Sequence, residues 1–430
     1  MDFNHIDISC IKQYIFIEGI FITSCVICDC KSNLIFCRSC HFYTLHLLNS
    51  IAPILMSKHQ KLNAFDKLMT ASREMNELYH IELYDDGVVK YTDKSPSSRW
   101  SSAPFNSCIR RGSRKYTTKF QLHDKRTTER STYHPKFRLR KIPVHHLKSG
   151  LQKNVRTGNV VGALNIAWTC TCNPDGLREL LRRLPIIAIE DAIVPFNFNL
   201  IVWLMLASHS NSYEFTKYDI QQIIKYVYYI ATVMYRDPML DVVDNAPTLS
   251  LKNTPLANSI LLRESFGGMK GDIEMLKCAA LRWQSRYDDK IALVSYNTVF
   301  GFMRPGVYVH ERMVNETDIP LSAVDFHCDR SIIENIQRDE TSYPKEKQKQ
   351  AMWEVSSSIN LKTDWKDGKF LHTGDDTLYA QKQLSKLSCK KYEPETEIEH
   401  VWASIHQHVR QNAVFIIQRM IRVMSASECA

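Results

Sequence analysis

The chain has 430 residues, a net charge of +9, 44% hydrophobic and 23% charged residues, which is too apolar for wholesale disorder and long enough for roughly two to four units. With only 14 Gly and 15 Pro, a turn-rich β sandwich is disfavoured and a mainly α fold is expected. No run reaches the roughly 18 apolar residues of a spanning helix, and the start Met-Asp-Phe-Asn-His lacks a signal peptide's basic opening, so the expectation is an intracellular protein, nuclear or cytoplasmic, with no membrane partner.

Residues 1–55 read as a Cys-rich unit or an extension, since Met56 opens a stretch that itself resembles a natural start. The 13 Cys are odd in number, and five fall within residues 25–40, unlike a secreted disulfide framework. Cys25-x2-Cys28 and Cys37-x2-Cys40 have the spacing to surround a tetrahedral zinc ion. Such a four-thiolate shell leaves no open position, so the role would be structural. His41 and His46 are alternative ligands, and unligated core cysteines are the other reading.

Residues 56–100 read as a short helix and a hairpin. Leu62, Phe65, Leu68 and Met69 recur at helical spacing within 62–80, and Asp85-Asp86-Gly87 is a hairpin signal. Residues 101–145 read as a basic linker or arm. From Arg99 to Arg156 there are sixteen Lys and Arg against Asp124 and Glu129, so this stretch outweighs the net charge of the whole chain. Tyr116, Phe120, Tyr133 and Phe137 are interleaved with the cations. Arg110, Arg111, Arg114, Lys115, Arg138, Arg140 and Lys141 are the candidates for holding phosphates. A solvated linker, or an arm docking on an acidic partner, is the plainer alternative.

Residues 146–290 read as a helical core domain, with candidate helices at 147–156, 159–171, 175–184, 186–194, 198–209, 216–235, 256–265 and 270–287. Gly158 suits a helix C-terminus, Asn159 and Asp175 suit N-caps, and Pro185 should break or kink its helix. Phe266-Gly-Gly-Met-Lys-Gly-Asp272 has only a superficial likeness to a phosphate-gripping loop. A turn between helices with Asp272 as N-cap explains it better. Residues 291–392 read as a mixed α/β region, with a β-leaning run at 291–302 and helices at 330–338 and 345–358. Residues 393–430 read as an amphipathic helix over 395–424, with Pro394 in its first turn and Ile398, Val401, Trp402, Ile405, Val409, Ile416, Met420 and Ile421 near one face. Ile417-Gln418 and Arg422 match half of a calmodulin-binding pattern, for which core packing is the plainer explanation.

One stretch carries a resemblance. Lys153, Val155, Arg156, Gly158, Ala163, Leu164, Arg182, Arg183, Leu184, Glu190 and Asp191 occupy the places of a Lys-x-Ile-Arg-x-Gly-like turn, an Ala-Ala-Leu-like helix and an Arg-Arg-Leu…Glu-Asp stretch. Over about residues 149–235 the chain resembles the helical C-terminal region of clamp-loader-like replication-associated recombination ATPases, of the Werner-helicase-interacting type. No Gly-x-x-x-x-Gly-Lys-Ser/Thr loop occurs anywhere, so the resemblance implies a helical scaffold of replication-associated type without the ATPase. From the residues alone, each of these arginines is expected to pair with a carboxylate of a neighbouring helix.

The reading that follows is a mainly α protein with a small Cys-rich N-terminal unit and a mixed α/β C-terminal portion. Its expected role is a non-enzymatic, nucleic-acid-associated accessory factor in DNA replication or repair, with DNA ahead of RNA as partner and a structural zinc. A protein-interaction scaffold using the C-terminal helix is the alternative. A cryptic enzyme around Asp325 and His327 is the weaker one, since no catalytic motif is recognisable.

Overall fold

Ile81 and Leu83 recur at alternate positions and open a strand, after which helices dominate the chain. The computed structural model describes residues 79–95, 101–111, 114–127, 131–135, 138–195, 197–210, 212–237, 249–288, 311–338, 343–366, 369–370, 383, 385–386, 389 and 393–428. The helix expected over 62–80 falls outside them up to residue 78, while Tyr79 and His80 belong to a strand. The run at 291–302 and the four cysteines Cys25, Cys28, Cys37 and Cys40 also lie outside the described residues.

A four-stranded sheet comes first, in the order β2-β1-β4-β3. Strand β1 (Tyr79–Leu83) turns into β2 (Val89–Thr92) through Gly87, whose φ of 79° places it in the left-handed region that glycine reaches without strain. Strands β3 (Ser101–Arg111) and β4 (Arg114–Asp124) pair antiparallel over their full lengths, and β1 pairs parallel with β4. The stretch read as a linker is therefore sheet over 101–124. The signal was local: Phe120 and Leu122 alternate with Lys119, Gln121 and His123, and both apolar residues are buried.

Next come α1 (Val144–Thr157), α2 (Val160–Thr171), α3 (Pro174–Asp191), α4 (Phe198–Ala207) and α5 (Lys217–Thr232). Helix α2 is buried from Gly162 to Thr171. It packs against α1, α3 and α5, as an all-round apolar helix must. At Gly162 an added Cβ would stand 2.9 Å from the Asp318 carbonyl oxygen, so only glycine lets that segment approach. Helix α4 is nearly all buried and packs against β1, β2 and β3, joining the sheet to the helices. Helices α6 (Pro255–Ser265) and α7 (Lys270–Asp288) pack on each other and on α3.

The last third supplies α8 (Ser331–Arg338), α9 (Lys345–Met352), a wide turn at Trp353–Ser357 and α10 (Glu397–Glu428). A short sheet joins β5 (Tyr235–Arg236), β6 (Thr363–Lys366) and β7 (Lys369–Phe370). Helix α10 lies on α8 and α9 and buries Val401, Trp402, Ile405, Val409, Ala413, Ile417, Met420 and Met424. Glu77–Ala430 forms one compact unit. The boundaries expected near 100, 145, 290 and 392 fall inside it, because the sheet, the helical core and α10 share one cluster of buried side chains. Among the described residues, no helix is long and apolar enough to cross a membrane.

Four local expectations are corrected. Asn173, not Asp175, caps α3, accepting from the Gly176 N–H at 2.8 Å, with Pro174 in the first turn. Asp272 lies inside α7, two residues after its start. Helix α10 begins after Pro394, at a box in which Thr396 N–H donates to Glu399 and Glu399 N–H donates to Thr396 Oγ1. Helix α3 runs through Pro185. The proline ring sits over the turn of Leu181 and Arg182, and the Arg182 carbonyl accepts from Arg263 Nε at 2.7 Å.

Candidate nucleic-acid interface

Two groups of cations stand out in the basic stretch. The first forms ion pairs inside the fold. Arg126 is almost fully buried and bridges Asp124 at 2.5 Å and Asp219 at 2.7 Å, with Tyr213 also accepting from it. Lys125 pairs with Glu82 at 2.5 Å and Lys148 with Glu179 at 2.6 Å. Arg156 donates to Glu190 at 2.6 Å and to Asp191 at 2.7 Å. These charges hold elements together and have little to offer a ligand.

The second group lies on the β3–β4 ribbon and in the segment before α1. Strand β4 meets β1 only from Phe120 to Asp124, whereas it meets β3 from Arg114 onward. Six residues on each strand, Asn106 to Arg111 and Arg114 to Lys119, thus form a two-stranded ribbon with no third strand beside it among the described residues. At about 3.3 Å per residue it is about 20 Å long. Arg110 pairs in register with Lys115, and Arg111 with Arg114. All four candidate cations of this stretch therefore meet at one end of the ribbon. Lys119 lies four residues farther along β4 from Lys115, toward the sheet.

Arg138, Arg140 and Lys141 are separate from that tip in the chain. They are exposed around buried Leu139. Leu139 is pinned by its N–H to the Cys172 carbonyl at 3.1 Å and by Asn173 Nδ2 to its own carbonyl at 2.8 Å. At the ribbon base His80 Nδ1 lies 2.8 Å from His123 Nε2, and both rings are buried. Burial lowers the pKa of each. One nitrogen must donate to the other, so the pair sits neutral and joins β1 to β4.

Of the residues carrying the family resemblance, Arg156, Arg183, Glu190 and Asp191 come together in one network between α1 and α3. Arg156 meets Glu190 and Asp191, and Gln152 Nε2 donates to both carboxylates at 2.8 and 2.6 Å. Arg183 donates to Gln152 Oε1 at 2.5 Å and to Asp272 at 3.2 Å. Asn360 donates to Asp191 at 3.0 Å. Burial, with Asp191 alongside, raises the pKa of Glu190. Arg156 and Arg183 thus pair with carboxylates of neighbouring helices, whereas Arg182 pairs with Glu179 of its own helix.

Asp325 and His327 lie in a turn rather than on a strand. Asp325 is buried and accepts from Ser357 Oγ at 2.8 Å and from the His327 N–H at 2.9 Å, with His327 Nδ1 at 3.4 Å. A nucleophile needs the histidine between hydroxyl and carboxylate; here the carboxylate stands between them, as a turn cap. Among the described residues, no group of three or more His, Cys, Asp or Glu could hold a metal. No family model, curated protein or solved structure matches the chain.

Proposed function

We propose that this chain is a non-enzymatic nucleic-acid-associated protein that engages duplex DNA through the β3–β4 ribbon. The observation that carries the reading is the register that gathers Arg110, Arg111, Arg114 and Lys115 at the end of a ribbon with no third strand among the described residues. A two-stranded ribbon fits the major groove of B-DNA, about 12 Å wide, whereas the A-form RNA major groove is too narrow for it. The cations would hold backbone phosphates and set orientation. Arg138, Arg140 and Lys141 would add contacts from the segment before α1. The resemblance of the Arg156–Asp191 region to replication-associated proteins favours an accessory role in replication or repair inside the cell. Cys25, Cys28, Cys37 and Cys40 would hold a structural zinc.

The test is binding of labelled duplex DNA by the full chain and by a variant in which residues 108–117 are replaced by a two-residue turn. The pairing of Phe120 to Asp124 with β1 remains in that variant, so its melting temperature should stay within about 2 °C of wild type while DNA affinity falls at least about tenfold. Unchanged affinity in the folded variant would refute the ribbon as the contact.

A second reading has one observation behind it. Phe415 is 64% exposed on α10 beside half-exposed Val414, which suits a protein-interaction scaffold. A Phe415→Ser variant that loses a protein partner while keeping DNA affinity would favour it.

A further inference from the structure

Another group of cations is built from elements with no part in the ribbon, where α3, α6 and the loop into α7 meet. Arg263, in the last turn of α6, is 4% exposed. Its Nε donates to the Arg182 carbonyl at 2.7 Å and its Nη1 to the Gly267 carbonyl at 2.9 Å. Among the described residues no carboxylate lies within ion-pair distance of it, and Nη2 has no acceptor. The guanidinium cannot shed its proton to escape burial, and a buried charge without its own counter-charge is costly. The C-terminal end of α6 offsets part of that cost.

The surroundings add positive charge. Arg182 gives Nη1 to Glu179 at 2.8 Å, while its Nε is buried with no acceptor. Glu179 is already shared with Lys148. Arg183 takes Asp272 at 3.2 Å. Arg178, one turn before Arg182, reaches the Ser208 carbonyl at 3.4 Å and the largely exposed Asp175 at 3.3 Å. Burial, then the charge of Arg182, brings Arg263 down to about 10. His209 stacks edge-on against Phe266 at 5.3 Å, and the charges of Arg178 and Arg182 act on its ring. The loop into α7 is open: a Cβ added at Gly267 or Gly271 would meet nothing within 4 Å. Arg263 is therefore fixed by backbone carbonyls alone, while Arg178 and Arg182 keep one carboxylate each, Asp175 and Glu179.

We propose that Arg182 and Arg263, with Arg178 at the rim, form a phosphate-binding site. Guanidinium forks match the oxygens of a phosphate in paired hydrogen bonds. A phosphate there gives Arg263 Nη2 an acceptor, since the bonds of Arg263 use only Nε and Nη1. The site does not depend on the ribbon, and its phosphate could belong to a free anion or to a nucleic-acid backbone.

The experiment is thermal unfolding of the full chain in sodium pyrophosphate against sodium chloride of equal ionic strength, for wild type and Arg182→Gln. Pyrophosphate also stabilises proteins by exclusion from their surfaces, so the readout is the difference between the two proteins. Wild type should gain about 2 °C more than the variant at tenfold the Kd. Arg178→Gln, at an exposed position, is the second variant and should lose part of the same gain, which keeps the test decisive if Arg182→Gln does not fold. Equal gains in wild type and both folded variants overturn the proposal. A labelled single-stranded oligonucleotide separates the sources. A salt slope reduced by about 0.7 in the variant identifies a nucleic-acid phosphate. An unchanged slope with the pyrophosphate gain lost identifies a free anion. Neutralising Arg110, Arg111, Arg114 and Lys115 should leave the pyrophosphate gain intact, so failure of the ribbon reading and failure of this one are distinguishable.

Discussion

At the scale of residues, several buried charges are pairs in which each partner depends on the other. Arg156 satisfies Asp191, which is 1% exposed, and reaches the Ser357 carbonyl at 3.1 Å. Arg156→Ala leaves that carboxylate buried with only amide donors, and we expect a loss of about 3 kcal/mol in urea unfolding. Arg156→Lys should recover only part of it, because one ammonium cannot serve two carboxylates and a carbonyl as the planar fork does. His146 shows the opposite case, a buried ring with no partner on either nitrogen. Burial, then neighbouring His145, pushes its pKa down to about 4, with Asp325 and Asp329 acting weakly the other way. The unfolded chain therefore binds this proton first as pH falls. The stability from the neutral ring is complete above about pH 6.5 and is lost toward pH 4, by at most about 3 kcal/mol. His146→Leu should flatten the urea midpoint over that window; an unchanged slope would show that other groups dominate acid unfolding. The sequence suggested arginine–carboxylate pairs between neighbouring helices but did not assign Glu190 and Asp191 to Arg156. It did not disclose Asn360 or Ser357, which chain topology brings in from more than 160 residues away.

At the scale of elements, helices were legible and their ends less so. Asn159 caps α2 and Gly158, with φ of 70°, ends α1 as their residue types demand. Pro185 misled because a proline's cost is local, while the tertiary bond from Arg263 to the Arg182 carbonyl is invisible in the helix's own sequence. The ribbon misled for another reason. Charge and Ser/Thr content over 101–124 dominated the composition, and the period-two alternation around Phe120 and Leu122 was short. Strand β4 meets β1 over a single five-residue stretch, Phe120 to Asp124, and β3 pairs along the whole of β4. The candidate cations were legible as a group. Their gathering at one ribbon end was not, because register is a property of two strands together.

At the scale of the whole molecule, charge and core are arranged separately. One cluster of buried side chains runs from β1 to α10 and joins segments that composition alone divided. The basic stretch spends Lys125, Arg126, Lys148 and Arg156 on the fold and sets Arg110, Arg111, Arg114 and Lys115 at the ribbon tip. The central claim is that the tip meets phosphates. The measurement that tests it most directly is the salt dependence of duplex DNA binding by the full chain and by the variant Arg110→Gln, Arg111→Gln, Arg114→Gln, Lys115→Gln. Loss of four phosphate contacts should lower the log–log slope by about 3 to 4. Equal slopes and equal affinities in the two folded proteins would contradict the account.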